Sequence, residues 1–127
     1  MDRILQVDAR QFKIVMPIIF HITTRNTWER AAEQGTYRPE AFAADGFIHC
    51  STREQVIQVA NARFRGQIGL VLLVIDTDKV TPEIVYENLE GGQQLFPHIY
   101  GVLNIDAVAD VLEFEPRADG QFTLPDL

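Results

Sequence analysis

Short runs of β-branched and aromatic residues recur along the chain, and each run predicts a β-strand. The run at 69–76 is almost entirely apolar, which is typical of a central strand that is buried on both faces. The other runs are shorter or less uniformly apolar. These further predicted strands lie at 16–23, 47–50, 84–89, 96–101 and 108–114.

Helical patterns are concentrated in the first half of the chain. Residues 27–34 indicate a short helix that ends at Gly35, a residue typical of the position just beyond a helix C-terminus. Ser51 and Glu54 have the spacing of a capping box, which predicts a second helix from there to Phe64. Because strands outnumber helices and do not alternate regularly with them, the predicted fold class is α+β with a few helices.

Length and composition indicate one domain. The chain has 127 residues, of which 46% are hydrophobic and 23% charged, as in ordinary globular domains. We expect an N-terminal arm at 1–15, a single α+β domain at 16–115 and a tail at 116–127 that looks loose. No apolar run reaches the roughly 18–20 residues that a membrane-spanning helix needs. The lone Cys50 and the absence of a signal-peptide pattern predict a cytoplasmic protein.

The charge of the chain bears on its partners. Eleven basic and eighteen acidic residues give a net charge of −7, which disfavours binding to the phosphate backbone of a long nucleic acid. Six arginines lie between Arg25 and Arg65, so that a small anion could still bind in the first half of the chain. The expected partner is therefore a small molecule, with no membrane involved, and the oligomeric state is open.

All three histidines lie in predicted strands, and each is followed two residues later by a hydroxyl side chain. Side chains two apart on a strand share a face. Because buried polar groups need hydrogen-bond partners, a polar cleft explains three such pairs better than an apolar core does. The alternative is three half-buried histidines that each bond to backbone. The pairs are His21 with Thr23, His49 with Ser51, and His98 with Tyr100.

Further residues extend this candidate site. Free N–H groups at the start of the helix predicted at Ser51 and Thr52, with Arg53 nearby, would favour a phosphate or pyrophosphate. Glu87 shares a predicted face with apolar residues, where a carboxylate is costly unless it serves a site. The alternative is an edge strand with Glu87 in solvent. The three histidines could instead hold a catalytic zinc ion, although no pair has the close spacing of a helical zinc motif. Cys50 is predicted on an apolar face, as a buried hydrophobe.

Five segments of the chain resemble a family of uncharacterised bacterial and plant proteins, the domain-of-unknown-function family 952. The family pattern combines an early F/Y-H-I-T strand, a W-x-x-A helix, G-F-I-H-C-S, a buried L-V-I-D strand and a late P-H-x-Y-G. The resemblance extends from Pro17 to Phe114. The matching segments are 20–23, 28–31, 46–51, 73–76 and 97–101.

This resemblance implies a fold similar to that of ADP-ribosyltransferases, in which a mixed or antiparallel split β-sheet holds NAD in a central cleft. In one branch of those enzymes an early histidine contacts a ribose and a late glutamate supports transfer. Those roles would fall to His21 and Glu87, with His49 or His98 moving a proton, whereas the stacking tyrosine of that branch has no convincing match here. NAD is thus the candidate cofactor.

The functional hypothesis is a domain that binds a nucleotide or NAD-like molecule, with an ADP-ribosyltransferase-like activity as its enzymatic form. A non-catalytic module that binds a ligand or a partner is one alternative. A metal-dependent hydrolase with histidine ligands is the other.

Overall fold

A computed structural model describes residues 17–127, so the expected N-terminal arm at 1–15 lies outside the described residues. In the described part of the chain, no helix has the length and apolarity to cross a bilayer. Two short 3₁₀ turns, at Thr77–Lys79 and Ile105–Ala107, lie between the helices and strands. These elements are β1 Ile18–Thr24, α1 Arg25–Gln34, β2 Thr36–Tyr37, α2 Phe42–Asp45, β3 Ile48–His49, α3 Val56–Arg63, β4 Leu70–Asp76, β5 Glu83–Glu87, β6 Phe96–Tyr100, β7 Leu103–Asn104 and β8 Val108–Phe114.

The strands of residues 17–127 form antiparallel sheets. Two three-stranded sheets have the orders β1-β4-β8 and β3-β6-β5, and β2 pairs with β7. The two larger sheets meet at an isolated bridge, where Phe20 and Ser51 exchange two backbone hydrogen bonds of 2.8 Å. The predicted α+β class, with antiparallel sheets and a few helices, is confirmed.

Strand β4 is the centre of the first sheet, and residues 70–75 are at most 7% exposed. One face of this sheet packs with α1 and with the inner face of the second sheet, to which Ile48 and Ile99 belong. The other face packs against Val56 of α3 and against Phe122. The prediction of a central strand buried on both faces is therefore confirmed.

The helix predicted to start at Ser51 starts later, and its capping interaction is shifted by one residue. Ser51 is held in extended backbone by its bridge to β1, so the chain can turn into a helix only after it. The backbone N–H of Thr52 donates to Oε1 of Gln55 at 3.0 Å, and α3 begins at Val56. The side chain that accepts this hydrogen bond, as in a capping box, is thus that of Gln55 and not that of Glu54.

The 116–127 tail has no regular structure, but it is packed and not loose. Phe122 is 2% exposed, and its ring stacks on that of Phe114 with centroids 4.7 Å apart. Its N–H donates to Oδ1 of Asn61 at 2.7 Å. The N–H of Gly66 donates to the carbonyl of Gly120 at 2.9 Å. The tail therefore covers the face of the first sheet that α3 leaves open.

Candidate functional site

A cleft of about 470 Å³ lies where the two larger sheets meet, between β1, α3 and the ends of β3 and β6. Its volume is in the range of small-molecule sites, and its walls are mainly apolar. All three histidines line this histidine cleft, together with Thr23 and Ser51. The structure thus brings together at one place the histidines that the sequence presents on separate strands. Tyr100 lies outside the lining.

Two hydrogen bonds hold the imidazole of His21 in one orientation. Its Nδ1 lies 2.5 Å from the carbonyl oxygen of His49, and its Nε2 lies 2.7 Å from the hydroxyl of Tyr37. Burial lowers the pKa of His21 from 6.5 to about 4. Burial also raises the pKa of the Tyr37 phenol, against a smaller opposing effect of the Thr23 hydroxyl. The ring is therefore neutral, with Nδ1–H donating to His49 and Nε2 accepting from Tyr37.

This arrangement bears on the role predicted for His21. A ribose contact needs a free ring nitrogen, and both nitrogens of His21 bond within the protein. The ring instead ties β1 to β2 and β3 at the wall of the cleft. Tyr37 was not predicted as a site residue, because β2 has only two residues and pairs with the distant β7. No local pattern signals such a strand.

Glu87 and His98 form the second polar group of the site. The register of β5 and β6 places them on the same face, and Nδ1 of His98 lies 2.8 Å from Oε2 of Glu87. The Tyr100 hydroxyl donates to the same carboxylate oxygen. These hydrogen bonds, that of Tyr100 foremost, lower the pKa of Glu87, and Glu87 in turn raises the pKa of Tyr100. Glu87 lies behind His98 and outside the cleft lining.

A second imidazole–carboxylate pair lies beside the first. Nε2 of His49 is 2.8 Å from Oδ2 of Asp45, and the side chain of His49 is half exposed. His49 and His98 are direct partners in the register of β3 and β6, and their ring centroids are 5.4 Å apart. Asp45 was not predicted as a site residue. Asp45 ends α2 and His49 lies on β3, so the proximity that an i,i+4 spacing gives within a helix does not apply, and no local pattern signals the pair.

Two of the N–H donors predicted for an anion at the start of α3 already have acceptors within the protein. The N–H groups of Ser51 and Thr52 already donate to protein oxygens. Arg53 is exposed and does not line the cleft. Within residues 17–127, Arg63 is the one arginine in the lining, and its guanidinium lies 3.1 Å from Glu90.

The metal hypothesis finds no suitable ligand set. Across residues 17–127, no group of three or more histidine, cysteine, aspartate or glutamate side chains is placed to hold a metal ion. His21 is bonded through both nitrogens, which removes one of the three expected ligands. Cys50 is buried, and burial raises the pKa of its thiol, as expected for a small hydrophobe on the apolar face.

Comparison with solved structures finds the same fold in CC0527 from Caulobacter crescentus. Its X-ray structure is 34% identical over 84% of this chain and 94% of that chain, with a TM-score of 0.77. The solution NMR structure of CC0527 is 35% identical over 82% of this chain and 90% of that chain, with a TM-score of 0.73. None of the curated proteins matches.

A family profile matches the part of the chain that contains most of the site. The family is described as Protein of unknown function (DUF952), and its match covers residues 22–111. Four of the five segments noted above lie wholly within this range, and 20–23 overlaps its start. The four are 28–31, 46–51, 73–76 and 97–101. Because the match spans well over half of the sequence, the protein belongs to the DUF952 family.

Proposed function

We propose that the domain binds a small nucleotide-like molecule in the histidine cleft. The observation that carries the proposal is the composition of this cleft of about 470 Å³, which joins apolar walls to a group of imidazole and hydroxyl side chains. Apolar and aromatic surface suits a nucleobase, and a few fixed polar groups suit a ribose. Phe64 and Phe96 supply aromatic surface, and Thr23 and Ser51 supply hydroxyls.

A fold related to that of ADP-ribosyltransferases is part of this proposal. The resemblance implies a split sheet with a ligand cleft at the split. Two antiparallel sheets that meet at the bridge between Phe20 and Ser51, with the cleft at their junction, support it. His21 follows Phe20 directly on β1, the position that the resemblance gives to the early histidine.

The nucleoside part of such a ligand fits the cleft better than a pyrophosphate does. The N–H groups of Ser51 and Thr52 are occupied by protein acceptors, and Arg63, whose exposed pair with Glu90 is weak, can neutralise one phosphate charge but not two. A dinucleotide such as NAD would have to displace these contacts before its pyrophosphate found donors. The favoured ligand class is therefore a nucleoside or mononucleotide, and NAD is not assigned as a cofactor.

Blocking the cleft tests the proposal. Val59 of α3 lines the cleft, whereas its neighbour Gln58 is exposed on the same helix and lies outside the lining. We expect adenosine or AMP, at a concentration far above its Kd, to raise the Tm of the wild type and of Gln58→Trp by several degrees. The indole of Val59→Trp should fill the cleft and abolish that increase.

Calorimetric titration with adenosine, AMP, ADP-ribose and NAD measures the same binding directly. Heat with a nucleoside or mononucleotide, lost in Val59→Trp and kept in Gln58→Trp, is the expected result. A folded wild-type protein that gives neither heat nor a Tm shift with any of the four compounds would overturn nucleotide binding.

A further inference from the structure

We propose that the histidine cleft is hydrolytic, with His98 as general base and His49 as general acid in the opening of a nucleoside cyclic phosphodiester, an inference that rests on the proposed nucleotide binding. The two imidazoles line the same cleft with ring centroids 5.4 Å apart. Rings at this distance pack edge to face and leave no space between them, so one phosphoryl group would lie beside the pair, within hydrogen-bond reach of both rings.

Each imidazole is bonded through one nitrogen to a carboxylate. Nδ1 of His98 is bonded to Glu87 and Nε2 of His49 to Asp45, both at 2.8 Å. The other nitrogen of each ring has no hydrogen-bond partner among residues 17–127. A ring that is oriented through one nitrogen and open at the other is the arrangement that proton transfer requires.

The environment of His98 fixes its position. Its side chain is 7% exposed, and Phe47 stacks on the ring with centroids 4.1 Å apart. Tyr100 donates to the carboxylate of Glu87 and so orients the group that orients His98. Glu87 and Tyr100 are accordingly positioning residues, and His49, which is half exposed, has freedom to adjust to a ligand.

The reaction step balances with water as the only co-reactant. Nε2 of His98 takes a proton from water as the water oxygen forms a bond to phosphorus. The bond between phosphorus and one ribose oxygen breaks, and its electron pair stays on that oxygen. Protonated His49 gives the ribose oxygen its Nδ1 proton. The product is a nucleoside monophosphate, and exchange of protons with solvent restores both imidazoles.

The chemistry of the leaving group favours a phosphodiester. An alkoxide leaves poorly unless it is protonated, so an acid beside the base lowers its barrier, whereas the phosphate leaving group of an anhydride needs no such acid. A diester carries a single negative charge. The guanidinium of Arg63 can pair with this charge. The side chains of Arg63 and Glu90 are both about 60% exposed, and such exposed ion pairs are weak, so Arg63 can exchange Glu90 for the diester.

Hydrolytic ring opening of adenosine 2′,3′-cyclic monophosphate, monitored by ³¹P NMR, tests the proposal. The wild type should convert it to adenosine monophosphate, and His98→Gln and His49→Gln should each lower kcat/KM by at least about 100-fold. Glu87→Gln should lower kcat with KM unchanged, since it acts through His98. Glu83→Gln, on the same face of β5 and exposed, is the matched control and should equal the wild type.

Binding of AMP by the same samples separates the two proposals and confirms folding. A wild type that binds AMP but opens no cyclic phosphate overturns hydrolysis and leaves nucleotide binding intact. Turnover that persists in both histidine variants assigns the activity to a contaminant and likewise overturns hydrolysis. A folded wild type that binds no nucleotide overturns both.

Discussion

The imidazole of His21 connects three strands through two hydrogen bonds, and its burial makes it sensitive to acid. Its pKa of about 4 in the folded protein compares with 6.5 for an ordinary histidine. Between these values the unfolded chain binds a proton that the folded protein does not. Stability is therefore full above about pH 6.5 and decreases as the pH falls toward 4.

Replacing this residue by glutamine should remove the acid sensitivity, since an amide offers a donor and an acceptor but does not titrate. The difference between the folded and unfolded pKa values of His21 predicts that the free energy of unfolding of the wild type is lower at pH 5 than at pH 7.5 by about 2 kcal/mol. Urea unfolding at the two pH values measures this difference. The loss should disappear in His21→Gln and persist in His49→Gln, where the ring is half exposed. An equal loss in all three proteins would contradict this account of His21.

At the scale of single elements, the start of α3 depends on Gln55. Its amide accepts from the N–H of Thr52 at 3.0 Å and donates to the carbonyl of Leu95 at 2.8 Å. Gln55→Ala would leave both partners unsatisfied in a place that is 7% exposed, at a cost of about 1–3 kcal/mol.

The neighbouring Glu54 supplies the control, since it is exposed and the sequence pattern alone would assign the capping role to it. We expect Glu54→Ala to change the free energy of unfolding by less than about 0.5 kcal/mol. Urea midpoints of the two variants measure the contrast. A larger effect of Glu54→Ala than of Gln55→Ala would restore the capping box at Ser51.

Local patterns were sufficient for the elements whose character is local. The apolar run of β4 indicated burial on both faces, and alternation placed His98 and Tyr100 on one face, opposite the buried Ile99. The shift from Ser51 to Thr52 could not be predicted, because it follows from a bridge to a strand about thirty residues earlier.

The pairings within the site depend on register between distant segments. Glu87 and His98 were both singled out from the sequence, but their hydrogen bond exists because β5 and β6 pair with Val85 opposite His98. Tyr37 reaches His21 only through the pairing of β2 with β7. Sequence patterns report which face a side chain occupies and not which strand lies beside it, so they predicted the members of the site better than its contacts.

At the scale of the whole molecule, the central sheet needs cover on two faces. The second sheet and α1 cover one face. The other face is covered by α3, which is only eight residues long, and by the packed tail that contains Phe122. A tail that completes the core should be part of the same cooperative folding unit as the strands beneath it.

Phe122→Ala tests that expectation. The ring is 2% exposed and stacks on Phe114, so its removal should lower the free energy of unfolding by about 3–5 kcal/mol, in a single urea transition. Leu127→Ala, five residues on in the same tail and 44% exposed, should change it by less than about 0.5 kcal/mol. A loss below about 1 kcal/mol in Phe122→Ala would mean that the tail opens without unfolding the domain. Phe64 packs against this cluster and also lines the histidine cleft, so α3 and the tail together support one wall of the cleft.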